Sequence, residues 1–159
     1  MSTAALVEPE QPEPKVAGVR PRVGFLGVGW IGRNRMEAIR RANLVEVAAI
    51  ADPADDLKRR AGEIAPEAAL LDNFDELLEV GLNGVVVATP SALHAAQAAA
   101  ALERGLAVFC QKPLARTGEE TRMVIHAARR ANVLLGVDLS YRFIPEAQKI
   151  RELVQSGEL

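Results

Sequence analysis

Arg22-Val23-Gly24-Phe25-Leu26-Gly27-Val28-Gly29-Trp30-Ile31-Gly32 decides how this chain is read. Arg22 to Leu26 is a short apolar run of strand length. Gly29 to Ala42 reads as the helix that follows. Between them the glycines are spaced Gly-x-Gly-x-x-Gly, at 27, 29 and 32. Each has a physical task in a strand-turn-helix unit. Gly27 permits the tight turn, Gly29 lets backbone approach a pyrophosphate with no Cβ in the way, and Gly32 lets the helix pack against the strand. The helix start then offers free N–H groups and a partial positive charge to phosphates. The alternative is a glycine-rich turn that serves packing only.

Outward from this unit, apolar runs alternate with helical patterns. Strands are expected at Leu44 to Ile50, Ala69 to Leu71, Gly84 to Ala88, Leu106 to Cys110 and Val133 to Val137. Helices are expected from Pro53 to about Ala61, with Pro53 in the first turn, and from Ser91 to Arg104. Two more open on capping boxes, Asn73 with Glu76 and Thr117 with Glu120. The first of these should stop at a left-handed Gly81, and the second near Ala131. A last amphipathic helix covers Pro145 to Ser156, with Ile150, Leu153 and Val154 as one exposed apolar stripe. Strand-helix alternation at this spacing gives right-handed crossovers and a doubly wound parallel sheet of Rossmann type, in the α/β class. The division expected is a flexible tail over 1–20, the dinucleotide-binding domain over 21–140, and a linker with one helix over 141–159.

Composition narrows the function. The 159 residues are 49% apolar and 25% charged, enough to bury a core. Net charge is −2 and aromatics are 4%, which argues against nucleic acid as a partner. Cys110 is alone, so it forms no internal disulfide, and no Cys/His spacing suggests a metal. A reducing, cytoplasmic compartment is the expectation. No 18-residue apolar stretch exists to span a membrane.

Chemistry-bearing residues gather at strand ends. Asp52 ends the second strand, 20 residues after Gly32, where an acid receives the adenosine ribose hydroxyls. Asp55 and Asp56 follow, so a 2′-phosphate would face carboxylates, and NAD is expected over NADP. Lys58, Arg59 and Arg60 keep NADP open, and Asp52 as a mere helix cap is the bland alternative. Ala88-Thr89-Pro90-Ser91 ends the fourth strand, with Thr89 and Ser91 as hydrogen-bonding groups or Ser91 as a cap. His94 stands in the following helix, either functional or simply packed. Gln111-Lys112-Pro113 ends the next strand, and Lys112 there is a general base or a surface lysine. Cys110 reads as a small buried hydrophobe, and His126 as part of a solvated stripe with Arg122 and Arg130.

Taken together, four segments resemble the glucose-fructose oxidoreductase and inositol dehydrogenase family, Gfo/Idh/MocA. They are Gly27 to Gly32, Ala88-Thr89-Pro90-Ser91-Ala92-Leu93-His94, Phe109-Cys110-Gln111-Lys112-Pro113-Leu114 and Tyr141-Arg142-Phe143-Ile144-Pro145. The resemblance implies an NAD(P)-dependent oxidoreductase of sugars, inositols or related polyols. It implies that Lys112 matches the lysine of a Glu-Lys-Pro motif near nicotinamide and substrate. It implies cofactor contacts at Gly27, Gly29, Trp30, Ile31, Gly32, Asp52, Ala88, Thr89, Pro90, His94 and Gln111. Gln111 departs from the motif, standing where the family usually has glutamate. The family also continues into a second α/β domain that carries most of the substrate pocket and much of a homo-oligomer interface. This chain stops at Gly157-Glu158-Leu159, so most of that domain is expected to be missing from it.

Overall fold

The structure is a computed structural model that describes residues 19–159. The tail expected over 1–20 lies outside the described residues as far as residue 18. Six strands form one sheet: β1 (Arg22–Leu26), β2 (Glu46–Ala51), β3 (Ala69–Leu71), β4 (Gly84–Val87), β5 (Ala107–Gln111) and β6 (Leu135–Asp138). Every pairing is parallel and the order is β3-β2-β1-β4-β5-β6. Helices α1 (Trp30–Ala42), α2 (Asp55–Ile64), α3 (Phe74–Glu79), α4 (Ser91–Glu103) and α5 (Gly118–Ala131) alternate with the strands. A 3₁₀ turn at Ser140–Phe143 and helix α6 (Pro145–Ser156) follow. This is the doubly wound Rossmann arrangement expected. The winding reverses between β1 and β4, and the carboxyl ends of the strands open a crevice at that point.

Both faces of the sheet are covered, and the period of two along each strand divides the core. Phe25, Ile50 and Val86 point to one side and join Met36 of α1 and Ala61 of α2. Leu26, Ala51, Val85 and Val87 point to the other and join Leu77, Ala98, Leu102 and Val124. Ala95, Ala98 and Ala101 form a buried stripe of small side chains on α4. Among the described residues nothing covers the last helix in this way: Ile150 and Val154 are more than half exposed, and Leu153 is half-buried. Among the described residues no helix is long and apolar enough to cross a membrane.

Both capping boxes form. Asn73 Oδ1 accepts the Glu76 N–H at 2.9 Å, and Thr117 Oγ1 accepts the Glu120 N–H at 3.1 Å. Other local expectations give way to hydrogen bonds. Pro53 stays outside α2, because Asp52 Oδ1 accepts the Ala54 N–H in an Asx turn and delays the helix to Asp55. Gly81 is not left-handed; α3 ends at Glu79, the chain leaves extended at Val80, and the Gly81 carbonyl accepts from Arg22. Strand β2 begins at Glu46, not Leu44. The last strand starts at Leu135, not Val133. Asn132 turns left-handed after α5 and the Val133 N–H returns to the Ala128 carbonyl, so Val133 closes the helix.

Candidate functional site

The three glycines of the turn differ in their surroundings. Gly27 has φ +83°, and a Cβ there would lie 2.7 Å from the Thr89 nitrogen. A Cβ on Gly32 would press into the Gly27 carbonyl oxygen. These two glycines are required by packing. Gly29 differs: nothing lies within 4 Å of where its Cβ would be. It faces open space as the N-cap of α1, with no side chain capping the helix and no carboxylate in its first turn. An anion finds unshared N–H groups and the positive end of the helix there.

That space is a cleft of about 640 Å³ at the carboxyl ends of β1, β2 and β4. Gly27, Gly29, Trp30 and Ile31 line it from the turn, Asp52 from β2, and Ala88, Thr89 and Pro90 from the end of β4. Leu93, Gln97, Asp72, Asn73 and Phe74 are among the others that line it; the sequence reading assigned none of these to a site. A wider groove of about 750 Å³ runs along Arg20, Arg40, Glu46 and Glu67, at the other end of β2. It touches neither the glycine turn nor a strand's carboxyl end, so the smaller cleft is the functional candidate.

Asp52 is 7% exposed. Its Oδ2 accepts the Val28 N–H at 2.9 Å and its Oδ1 accepts the Ala54 N–H at 2.9 Å. A carboxylate has about four acceptor positions, so the two bonds leave capacity for hydroxyl donors in the cleft. Among the described residues no lysine or arginine lines the cleft. Lys58 is turned into an ion pair with Asp72 and another with Asp55 at 3.0 Å. The hydrogen bonds its ammonium donates, to Asp72 first and Asp55 second, hold it above the ordinary lysine range. Arg59 and Arg60 line a separate groove between α1 and α2 with Arg33 and Glu37.

On the β4 side, Thr89 Oγ1 donates to Gln97 Oε1 at 2.6 Å. Ser91 is exposed and begins α4; Pro90, not Ser91, is the N-cap residue. His94 is 1% exposed and sits behind the cleft wall. Its Nε2 is 2.7 Å from the Thr89 carbonyl and its Nδ1 2.7 Å from the Pro113 carbonyl. It therefore ties the loop after β4 to the loop after β5. A neutral imidazole has one N–H and donates to one of the two at a time.

Gln111 and Lys112 lie at the end of β5, one strand beyond the cleft. Lys112 is exposed and Gln111 is buried. Cys110 is fully buried, and burial pushes its thiol up to about 12. His126 is exposed on α5. The sequence reading missed Asp138, which bonds Gln111, and Arg35 and Ser140, which continue the hydrogen bonds from Asp138. Its last strand stopped at Val137, one residue short of Asp138, which pairs in register with Gln111.

An uncapped helix start, an open glycine and a buried acid at the switch point define a dinucleotide-binding crevice of the Rossmann class. A family model described as "Oxidoreductase family, NAD-binding Rossmann fold" (Gfo/Idh/MocA) matches residues 21–139. The chain belongs to that family. It is 33% identical over 141 residues to the rhizopine catabolism protein MocA of Rhizobium meliloti, covering 88% of this chain and 44% of the relative. It is 32% identical to the inositol 2-dehydrogenase of Rhodococcus erythropolis, covering 87% and 41%. The WlbA dehydrogenase from Bordetella pertussis, solved with NADH and UDP-GlcNAcA, superposes with TM-score 0.78 at 26% identity, over 87% of this chain and 42% of that one. A 3-ketoreductase from Actinomadura kijaniata, solved with TDP-benzene and NADP, gives 0.77 at 27%, over 87% and 44%. The chain thus spans less than half the length of these relatives.

Proposed function

We propose that this chain binds NAD(H) in preference to NADP(H), as the nucleotide-binding part of an oxidoreductase acting on a sugar, inositol or related polyol. The observation that carries the cofactor preference is the lining of the cleft, which holds the carboxylates Asp52 and Asp72 and, among the described residues, no cation. A 2′-phosphate placed there would meet negative charge in a partly enclosed site. The relatives support the oxidoreductase class and the substrate type, and among the structures one holds NADH and another NADP.

The residues fit the dinucleotide. The N–H groups at the start of α1 would receive the pyrophosphate over Gly29, and the spare acceptor positions of Asp52 the adenosine ribose. Trp30, Ile31, Thr89 and Pro90 would flank the nucleotide. Bound nicotinamide supplies a hydride acceptor or donor. Lys112 would hydrogen-bond the substrate hydroxyl and take or return its proton as the carbon loses or gains hydride. His94 would keep the two loops that bear Thr89 and Lys112 at a fixed spacing. A non-catalytic dinucleotide-binding module is the second reading, favoured by the exposure of Lys112 outside the cleft.

Titration of NADH and NADPH into the purified chain, followed by Trp30 fluorescence, tests the proposal. Trp30 is the only tryptophan, lines the cleft and is 74% exposed. Saturable quenching with NADH bound about tenfold tighter or more is expected from one unfavourable phosphate-carboxylate encounter. Equal affinities overturn the preference, and no calorimetric heat with either overturns the binding reading.

A further inference from the structure

Gln111 uses both ends of its amide. Nε2 donates to Asp138 Oδ2 at 3.1 Å, and Oε1 accepts the Lys112 N–H at 2.8 Å. Reversing the amide would set an oxygen against a carboxylate and an NH₂ against an N–H, so the two partners fix its orientation. Asp138 is 5% exposed, and the oxygen that faces Gln111 also accepts from Arg35 Nε. Arg35 Nη2 in turn donates to Ser140 Oγ at 3.0 Å. Arg35 belongs to α1, the helix that opens on the glycine turn. A continuous run of hydrogen bonds therefore leads from the nucleotide-side helix, across β6, to the backbone of Lys112.

We propose that Arg35, Asp138 and Gln111 form a positioning relay that sets the Lys112 segment relative to α1, with the amide at 111 and the carboxylate at 138 acting as a matched pair. A buried carboxylate is disfavoured unless it is paired and hydrogen-bonded. Asp138 has both kinds of partner, a cation and an amide donor. Satisfied networks of this sort hold one geometry where apolar contacts would allow several. The matching has a definite chemical consequence. Glutamate at 111 would bring a second carboxylate within hydrogen-bond distance of Asp138, and two such groups do not both ionise readily. Both donors converge on Asp138 Oδ2, so asparagine at 138 would repair this by turning about its Cβ–Cγ bond, which sets Nδ2 toward Glu at 111 and Oδ1 toward Arg35. Net charge and the number of bonds are then as in the original. The catalytic meaning of the relay rests on Lys112 being the proton-transfer group; the pairing itself does not.

Amide hydrogen exchange of the ¹⁵N-labelled chain reads the Lys112 N–H, which is bonded to Gln111, against the buried Val87 N–H as a monitor of global opening. Gln111→Met removes the acceptor of the Lys112 N–H, and Gln111→Glu keeps an acceptor but loses the donor that anchors it to Asp138; each is expected to speed exchange at Lys112 about tenfold relative to Val87. Gln111→Glu combined with Asp138→Asn should return it to within about threefold of the original. The Met variant adds no charge and keeps the test available if the Glu variant does not fold. An unchanged Lys112-to-Val87 ratio in the single variants, or a double variant that exchanges as fast as Gln111→Glu, overturns the relay. The NADH titration is independent: a chain that binds no NADH yet shows the restored exchange retains the pairing and loses only its proposed use.

Discussion

The carboxylate of Asp52, at the end of β2, accepts the N–H of Val28 inside the glycine turn at 2.9 Å. The residue proposed to meet the ribose therefore also holds the turn proposed to meet the pyrophosphate. Val28 is fully buried, so its N–H has no water to turn to if Asp52 is removed. Asp52→Ala should lower stability by about 2 kcal/mol, the usual loss when a buried donor is left unsatisfied. Urea denaturation checks this. NADH affinity should fall with it by about tenfold or more, since one charge-assisted contact is lost and the turn loosens. A variant that loses affinity at unchanged stability would separate the two roles of Asp52.

The glycines make the opposite kind of prediction, because two of them differ in what surrounds them. A methyl group on Gly32 meets the Gly27 carbonyl, whereas one on Gly29 meets nothing. Gly32→Ala should destabilise by about 1–3 kcal/mol through overpacking. Gly29→Ala should change stability by less than about 0.5 kcal/mol and weaken NADH binding, since its methyl group occupies only the space offered to the phosphates. Thermal melts and NADH titrations on both variants check the contrast. A stable Gly29→Ala chain with undiminished NADH affinity would remove the pyrophosphate from this turn.

The fold was legible where the signal is local. Val85, Val86 and Val87 are apolar without interruption because helices cover both sides of β4, and the two capping boxes rest on residues three apart. Helix α6 keeps the expected bounds because Pro145 starts it and a left-handed Gly157 ends it. Pro53 and Gly81 misled because each was judged by its own preference. Asp52 bonding to Ala54 holds Pro53 out of the helix, and Arg22, 59 positions away, takes the Gly81 carbonyl. The site shows the same division. Gly29, Asp52 and Thr89 stand at the ends of recognisable strands. Arg35 and Asp138 are 103 positions apart, and nothing in the neighbourhood of either announces the pair.

Acid should weaken the second capping box through Glu120. Its side chain bonds the Arg116 guanidinium at 2.6 Å and the Arg116 N–H at 2.9 Å, which hold its carboxyl below the usual glutamate range. A carboxyl depressed in the folded state stabilises it above the unfolded value and ceases to as pH falls through the folded value. The contribution of Glu120 is therefore complete at neutral pH and fades below about pH 4.3, the ordinary glutamate value. Glu120→Gln should melt lower than the original chain at pH 7, and the gap should narrow on going to pH 3. A gap that is constant between these pH values would assign the effect to packing of the side chain instead of its charge.

Cys110 gives the complementary case, a group shifted by burial alone. It is fully enclosed in the core on the α4 and α5 side of β5, and its thiol is pushed up to about 12. The thiolate is the species that reacts, so the folded chain should be inert to a thiol reagent at pH 8 although Cys110 stands next to Gln111 and Lys112. Reaction then requires opening of the core, and its rate reports that opening. Labelling should be slow in buffer and complete in denaturing urea, with one thiol counted in all. Saturating NADH should slow it further, because a ligand that binds the folded chain alone lowers the open fraction in proportion to its own occupancy. If the native thiol reacts as fast as a free cysteine, the core on this side of the sheet is open at β5, and the segment that carries Lys112 is not held in the position described for it.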